Sequence, residues 1–278
     1  MSEATQAEKS HPNEGRREVR IVSHSMLFYW WPVWAVGLLM AGVTYLGDYR
    51  MGIVPDGTEP ADNVHVSEYG TRSALVLPAG KELPVDKATG KPIQPTLRVA
   101  LRSGPGVIFV VTLLMVIFIT NVPIRGLASV VALLAIMLVV VLLALFDVWE
   151  SILDMLAHSR IHMNAFGYLA IAVPLFILWL VFILFVDRQV YMVFTPGQLR
   201  VHQNIGGGET AYDTIGMVVM KRRSDLFRHW ILGIGSGDIV VKTAGAAGQE
   251  IQMPNVLFVG NKVQILQNML QQREVVTG

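Results

Sequence analysis

Leu127-Ala-Ser-Val-Val-Ala-Leu-Leu-Ala-Ile-Met-Leu-Val-Val-Val-Leu-Leu-Ala-Leu-Phe146 carries no charge, and Ser129 is its one polar side chain. A helix of about 20 residues rises about 30 Å, the thickness of a bilayer's hydrocarbon core. Lipid offers the backbone no hydrogen-bond partner, so a run of this kind must pair its own N–H and C=O groups as a helix. With its short lead-in, this is a span over 124–146. Three further apolar runs flank it, at 26–46, 107–122 and 167–186. The run at 107–122 is the shortest. Its length reaches only about 24 Å, so it spans by extension at one end or by local thinning of the bilayer, or else it is re-entrant.

The composition agrees. Of 278 residues, 53% are apolar and 15% are charged, with a mean hydropathy of +0.49. An average soluble domain has about 25% charged residues, so a soluble enzyme and a disordered chain are both disfavoured. The net charge of +1 gives no global pull on nucleic acid. Without cysteine there are no disulfides, thiolate metal sites, Fe–S clusters or cysteine nucleophiles.

Phe28, Tyr29, Trp30, Trp31 and Trp34 open the first span. Amphipathic rings collect at the headgroup level, so they read as an aromatic belt. Pro32 falls in the first turn, where a missing N–H costs little. No small-residue cleavage site follows, so the span is expected to be a retained anchor. Residues 1–25 have no apolar period and are expected to be a disordered tail. Asn121-Val-Pro-Ile-Arg-Gly126 is a tight break between the second and third spans. Four spans place both termini on one side. Arg16, Arg17, Arg20, Arg125 and Arg188 would then face the cytoplasm, in keeping with the positive-inside rule, although Arg98 and Arg102 oppose it.

The segment 47–106 is an extracytoplasmic, β-rich loop, with strands expected at Ser73–Leu77 and Thr96–Ala100. The linker 147–166 holds Asp147, Glu150, Asp154, His158 and His162 along one helical stripe. Carboxylates and imidazoles at this spacing can ligate a metal. The stripe also suits the wet face of an amphipathic helix at the membrane interface, and the lack of an HExxH sequence favours that reading.

From 187 to 278 the pattern changes. Short apolar stretches separated by glycine turns begin at Gln189–Thr195 and Leu199–Gln203. They continue at Ile215–Met220, Phe227–Ile231, Ile239–Thr243 and Glu250–Met253. Val259, Val263, Leu266 and Leu270 then mark a closing amphipathic helix. Strands sealed by one helix describe a small capped barrel.

Tyr191-Met-Val-Phe-Thr195 with Leu199-Arg-Val201 resembles the opening hairpin of the bacterial pleckstrin-homology-like (PH-like) domain. Asp213-Thr-Ile-Gly-Met-Val218 resembles its next strand. Leu226 to Val240, with a glycine-rich turn leading into Gly237-Asp238, resembles its later hairpin, and Ile251-Gln-Met-Pro-Asn-Val256 leads into its last helix. The resemblance covers about a third of the chain. It implies a PH-like β-barrel capped by one helix, on the cytoplasmic side of a bacterial inner membrane, and it implies a fold more than an activity.

Gly233-Ile-Gly-Ser-Gly237 precedes a strand where a phosphate loop precedes a helix, so it reads as a β-turn. There is no GxSxG nucleophile elbow, and the span interiors carry no Asp, Glu, Lys, Arg or His, which disfavours a proton-coupled transporter. Lys221, Arg222, Arg223 and Arg228 form a basic cluster close to the fourth span. They read either as a contact for anionic headgroups or as a solvated hairpin tip. The expected function is a non-enzymatic membrane scaffold whose PH-like domain binds a protein partner, anionic lipid or both. It needs no cofactor or metal, binds no nucleic acid and has the option of homo-oligomers. The alternatives are a metal-dependent membrane enzyme built on Glu150, Asp154, His158 and His162, and a passive channel or transport accessory.

Overall fold

The computed structural model describes residues 18–68, 70–122, 126–195, 197–202, 208–222, 225–244 and 248–277. The chain opens with strand β1 (Val19–Val22), a 3-10 turn (Met26–Trp30) and helix α1 (Trp31–Leu46). Four strands follow: β2 (Arg50–Met51), β3 (Glu59–Val66), β4 (Gly70–Val76) and β5 (Leu97–Arg98). Next come helices α2 (Gly104–Asn121), α3 (Leu127–Leu145), α4 (Val148–His158) and α5 (Ala165–Val181). The remainder holds β6 (Tyr191–Phe194), β7 (Gln198–His202), β8 (Thr210–Asp213), β9 (Val218–Arg222), β10 (Gly237–Lys242), β11 (Glu250–Val256) and α6 (Val259–Thr277).

Four helical segments are long and apolar enough to cross a membrane: Met26–Leu46, Gly104–Asn121, Leu127–Leu145 and Ala165–Gln189. The second starts at Gly104, three residues before the expected 107, so the short apolar run is extended at its N-terminal end to about 27 Å. Pro123, Ile124 and Arg125 of the expected hairpin lie outside the described residues. Along α3 only Ser129 is buried. Its apolar side chains point outward, as lipid-facing positions do.

The chain divides into two compact units: Met1–Trp34, Thr112–Val148 and Pro174–Gly278 in one, Ala35–Val111 and Trp149–Val173 in the other. Within the second unit, Gly37 permits close helix approach, because a side chain there would meet Ala172 Cβ at 2.8 Å and Phe109 at 3.0 Å. Phe109 packs edge-on to Tyr168, with ring centroids 5.4 Å apart. β2 pairs with β5 and β3 with β4 as antiparallel ribbons. The Arg98 guanidinium lies over the Tyr45 ring and donates to the Tyr45 carbonyl at 2.7 Å.

The first unit holds the main core. Its strands form a four-stranded sheet in the order β1-β6-β7-β8 and a three-stranded sheet in the order β11-β10-β9. All neighbouring strands within them are antiparallel. Alternate residues face inward: Met192 and Phe194 from β6, Leu199 and Val201 from β7, Ile239 and Val241 from β10, Ile251 and Met253 from β11. Val259, Val263 and Leu266 of α6 complete this core, as their spacing predicts.

Three expectations are corrected. The strands form two sheets and, among the described residues, no closed barrel. Phe227–Ile231, expected as a strand, lies in a π-helical turn (Phe227–Leu232) between β9 and β10. Val19–Val22, within the expected tail, is a strand: Val19 pairs with Phe194 and Val22 with Tyr191, and Ile21 is fully buried. Here apolar Val19, Ile21 and Val22 gain a ladder and a core that the local sequence does not advertise. The 187–278 unit therefore takes its edge strand from before the first span. The pairing brings the chain just before the first candidate span beside the chain just after Ala165–Gln189.

Candidate functional site

A cluster of hydrogen-bonded polar side chains in the first unit is buried at the start of the first candidate span. The 3-10 turn Met26–Trp30 sends Tyr29 inward, where it is fully buried. Its hydroxyl lies 3.2 Å from His229 Nδ1 and 3.1 Å from Ser236 Oγ, and it donates to Asn255 Oδ1 at 3.0 Å. His229 comes from the π-helical turn, Ser236 from the loop before β10, and Asn255 from the end of β11. His229 Nδ1 also lies 3.0 Å from Ser236 Oγ.

The other imidazole nitrogen faces charge. His229 Nε2 is 3.5 Å from Asp238 Oδ1 and 3.3 Å from an Arg228 guanidinium nitrogen. With the proton on Nε2, the ring donates to Asp238 and accepts from Ser236. With the proton on Nδ1, it donates to Ser236 and accepts from Arg228. Either tautomer pairs both nitrogens. The Asp238 carboxyl also accepts from the Asn255 backbone N–H at 3.0 Å. Burial opposes its ionisation. The hydrogen bonds from His229 and Asn255, with the His229 and Arg228 charges, outweigh that and hold it below the usual value of 3.8.

Local geometry explains the placement. Asp225 caps the π-helical turn, accepting the Arg228 N–H on Oδ1 at 3.0 Å and the His229 N–H on its carbonyl at 3.1 Å. Asn255 adopts φ +54°, which asparagine tolerates better than most side chains. Its amide donates to the His24 carbonyl at 2.9 Å, and Ser23 donates to the Pro254 carbonyl at 2.7 Å. Gly233 is obligatory, because a side chain there would collide with Ser236 and reach 2.8 Å from Tyr29. The strand β1, the turn after it and the hairpin β10–β11 are thus tied together by the hydrogen bonds of Ser23, Tyr29, His229, Ser236 and Asn255.

Ser236, His229 and Asp238 are the residue types of an acyl-transfer triad. Ser236 is 0% exposed and His229 is 1% exposed, so no substrate carbonyl reaches the serine, and the geometry is that of a structural clamp. Two indoles join it. Trp31 Nε1 donates to the Leu232 carbonyl at 2.9 Å, and Trp179 Nε1 donates to the Phe28 carbonyl at 3.1 Å.

Of the four basic residues expected at one surface, the three described do not share one: Arg228 is buried while Lys221 and Arg222 are exposed. Lys221 and Arg222 are exposed on β9, where Arg222 pairs with Glu250 at 3.7 Å. Arg223 lies outside the described residues. Arg228 is buried, 3.9 Å from Asp225 and 3.8 Å from Asp238. Its charge is spent inside the domain and is unavailable to a headgroup. The acidic stripe is also broken. Glu150, Asp154 and His158 lie on α4, but the helix ends at His158 and the chain turns through Arg160 at φ +51°, before His162. His158 and His162 each meet a backbone carbonyl, of Asp154 and Arg160. Among the described residues no three His, Asp or Glu side chains gather as a metal-binding group.

The clamp itself escaped the sequence reading. Tyr29 and His229 are 200 residues apart, and no periodicity links them. The chain matches no known protein family, no curated protein and no solved structure.

Proposed function

We propose that this is a multi-pass protein of the bacterial cell membrane that presents a PH-like domain to the cytoplasm as a non-enzymatic docking module. The strand order, with a helix closing the core after the last strand, supports the PH-like reading. The observation that carries the function is the buried clamp at Tyr29. It commits His229, Ser236 and Arg228 to holding the domain on the first span, and leaves its outer faces for a protein partner.

Photo-crosslinking in intact cells tests the proposal. A probe at Ile215, exposed on the domain, is expected to trap a discrete protein adduct. A probe at Ser73, in the loop between the first two spans, is expected to trap none of the same mass. Absence of any adduct from Ile215 and from Lys242, exposed at the same end, refutes the docking role.

A further inference from the structure

We propose that the turn between β9 and β10 is a lipid-inserting element, with Trp230, Ile231 and Ile234 entering the interfacial layer of the membrane that the first span crosses. The inference needs only that α1 spans a membrane, and does not depend on the PH-like reading or on a protein partner.

Three observations converge on it. The first is exposure: Trp230 is 72% exposed, Ile231 45% and Ile234 62%, within five residues. Asp225 and Arg228, the charged residues described in this turn, are both buried, so among its described residues the large side chains exposed at the tip are the apolar ones of Trp230, Ile231 and Ile234. The second is position. The Leu232 carbonyl accepts from Trp31, the first residue of α1, and His229 contacts Tyr29. Arg228 reaches the sulfur of Met26 at 3.5 Å. The turn therefore sits at the level where the span begins, which is the headgroup region where tryptophan concentrates. The third is backbone conformation. Ile234 adopts φ +47° between two glycines. That is an outlier for a β-branched residue, at a point where a third glycine would relieve the strain and remove the apolar side chain.

A bilayer fits these features better than a protein groove does. The turn is held by hydrogen bonds to the span itself, so its apolar tip stays at the membrane surface without a partner arriving. Apolar area buried at the interface sets the strength of such an attachment, and an indole suits a layer that is wet on one side and greasy on the other. The inserted tip gives the domain an attachment point separate from the chain connections at its two ends, and so restricts its rotation about the span.

The chain has no cysteine, so Trp230→Cys, Ile231→Cys and Ile234→Cys each introduce a sole thiol. Each full-length variant is spin-labelled and reconstituted in vesicles of phosphatidylcholine and phosphatidylglycerol. Collision with oxygen, which partitions into lipid, is compared with collision with a water-soluble nickel chelate. Ile215→Cys is the control. In the β9–β10 register Arg222 pairs with Asp238 beside the turn, and Val218 pairs with Lys242 at the far end, near Ile215. The strand between separates the two ends by roughly 14 Å.

Oxygen access is expected to exceed nickel access at 230 and 234, with the reverse at 215. Should a label at 230 disturb folding, those at 231 and 234 decide. Nickel access at 231 and 234 equal to that at 215 overturns the proposal. So does exclusion of both reagents that disappears when the protein is diluted in lipid, since that means a second copy covers the tip.

Discussion

Replacing Tyr29 with phenylalanine removes one oxygen from the clamp and leaves its packing in place. The ring stays edge-on to Phe28, with centroids 5.3 Å apart, and near His229 at 6.3 Å. Ser236 and His229 remain partners at 3.0 Å. Asn255 Oδ1 loses the donor it has at 3.0 Å. One buried acceptor without a partner costs about 1–3 kcal/mol, or roughly a 5–150-fold change in an equilibrium constant. The penalty falls where the clamp closes, so it opens the π-helical turn and the start of β10 locally. Hydrogen exchange of the full-length protein in lipid nanodiscs reads this directly. Amides in 226–241 are expected to exchange faster by about that factor. Those of Met192 and Leu199, in the β6–β7 core, are expected to keep their wild-type rates. Exchange in 226–241 within about twofold of wild type refutes the clamp. Equal acceleration in both regions assigns the loss to general packing and refutes the local account.

Gly233→Ala drives a methyl into Ser236 and Tyr29. Overpacking costs about 1–3 kcal/mol, and a lower thermal midpoint with faster exchange in the same turn is expected. Burial first, then the Lys262 charge, holds His24 below its usual 6.5. The folded protein thus binds fewer protons there than the unfolded chain, and stability falls as pH drops through about 6.5. His24→Gln is expected to flatten the thermal midpoint between pH 7.5 and 5.5, to within about 1 °C if this group is the source. The pairing of β1 with β6 predicts that sole thiols at Arg20 and Lys242 are labelled by an impermeant maleimide from one side of the membrane. A thiol at Ser73 is expected to be labelled from the other. Labelling of all three from one side means that α1 and at least one further helix do not cross.

The spans are legible because hydropathy is a local property: twenty apolar residues in lipid have one available solution. The helix α6 is legible for a similar reason, since Val259, Val263 and Leu266 reach the core at the spacing of one helical face. The strand β1 is not. Four residues have no periodicity of their own, and their ladder lies about 170 residues away. The basic cluster misleads because a charge count carries no direction: Arg228 turns inward only because Asp225 and Asp238 meet it there. Phe227–Ile231 mixes apolar and polar residues as a half-buried strand does, and only the Asp225 cap and the bond from Trp31 to the Leu232 carbonyl mark it as a turn.

The placement of β1 also sets an order of events during synthesis. Val19–Val22 leaves the ribosome before the four candidate spans, and its partner Tyr191–Phe194 follows them. At about 5–20 residues per second, the early strand waits roughly 10–35 s with its edge unpaired. Throughout that interval β6, β7 and the core of the domain do not exist. The sheet therefore closes only on a chain whose four helices have all been made and whose two flanks have emerged on the same side. A chain truncated within the membrane region, or inserted with one helix missing, is left with an open strand edge and cannot bury Ile21. The cell's quality-control proteases would meet such a chain as an unfolded end.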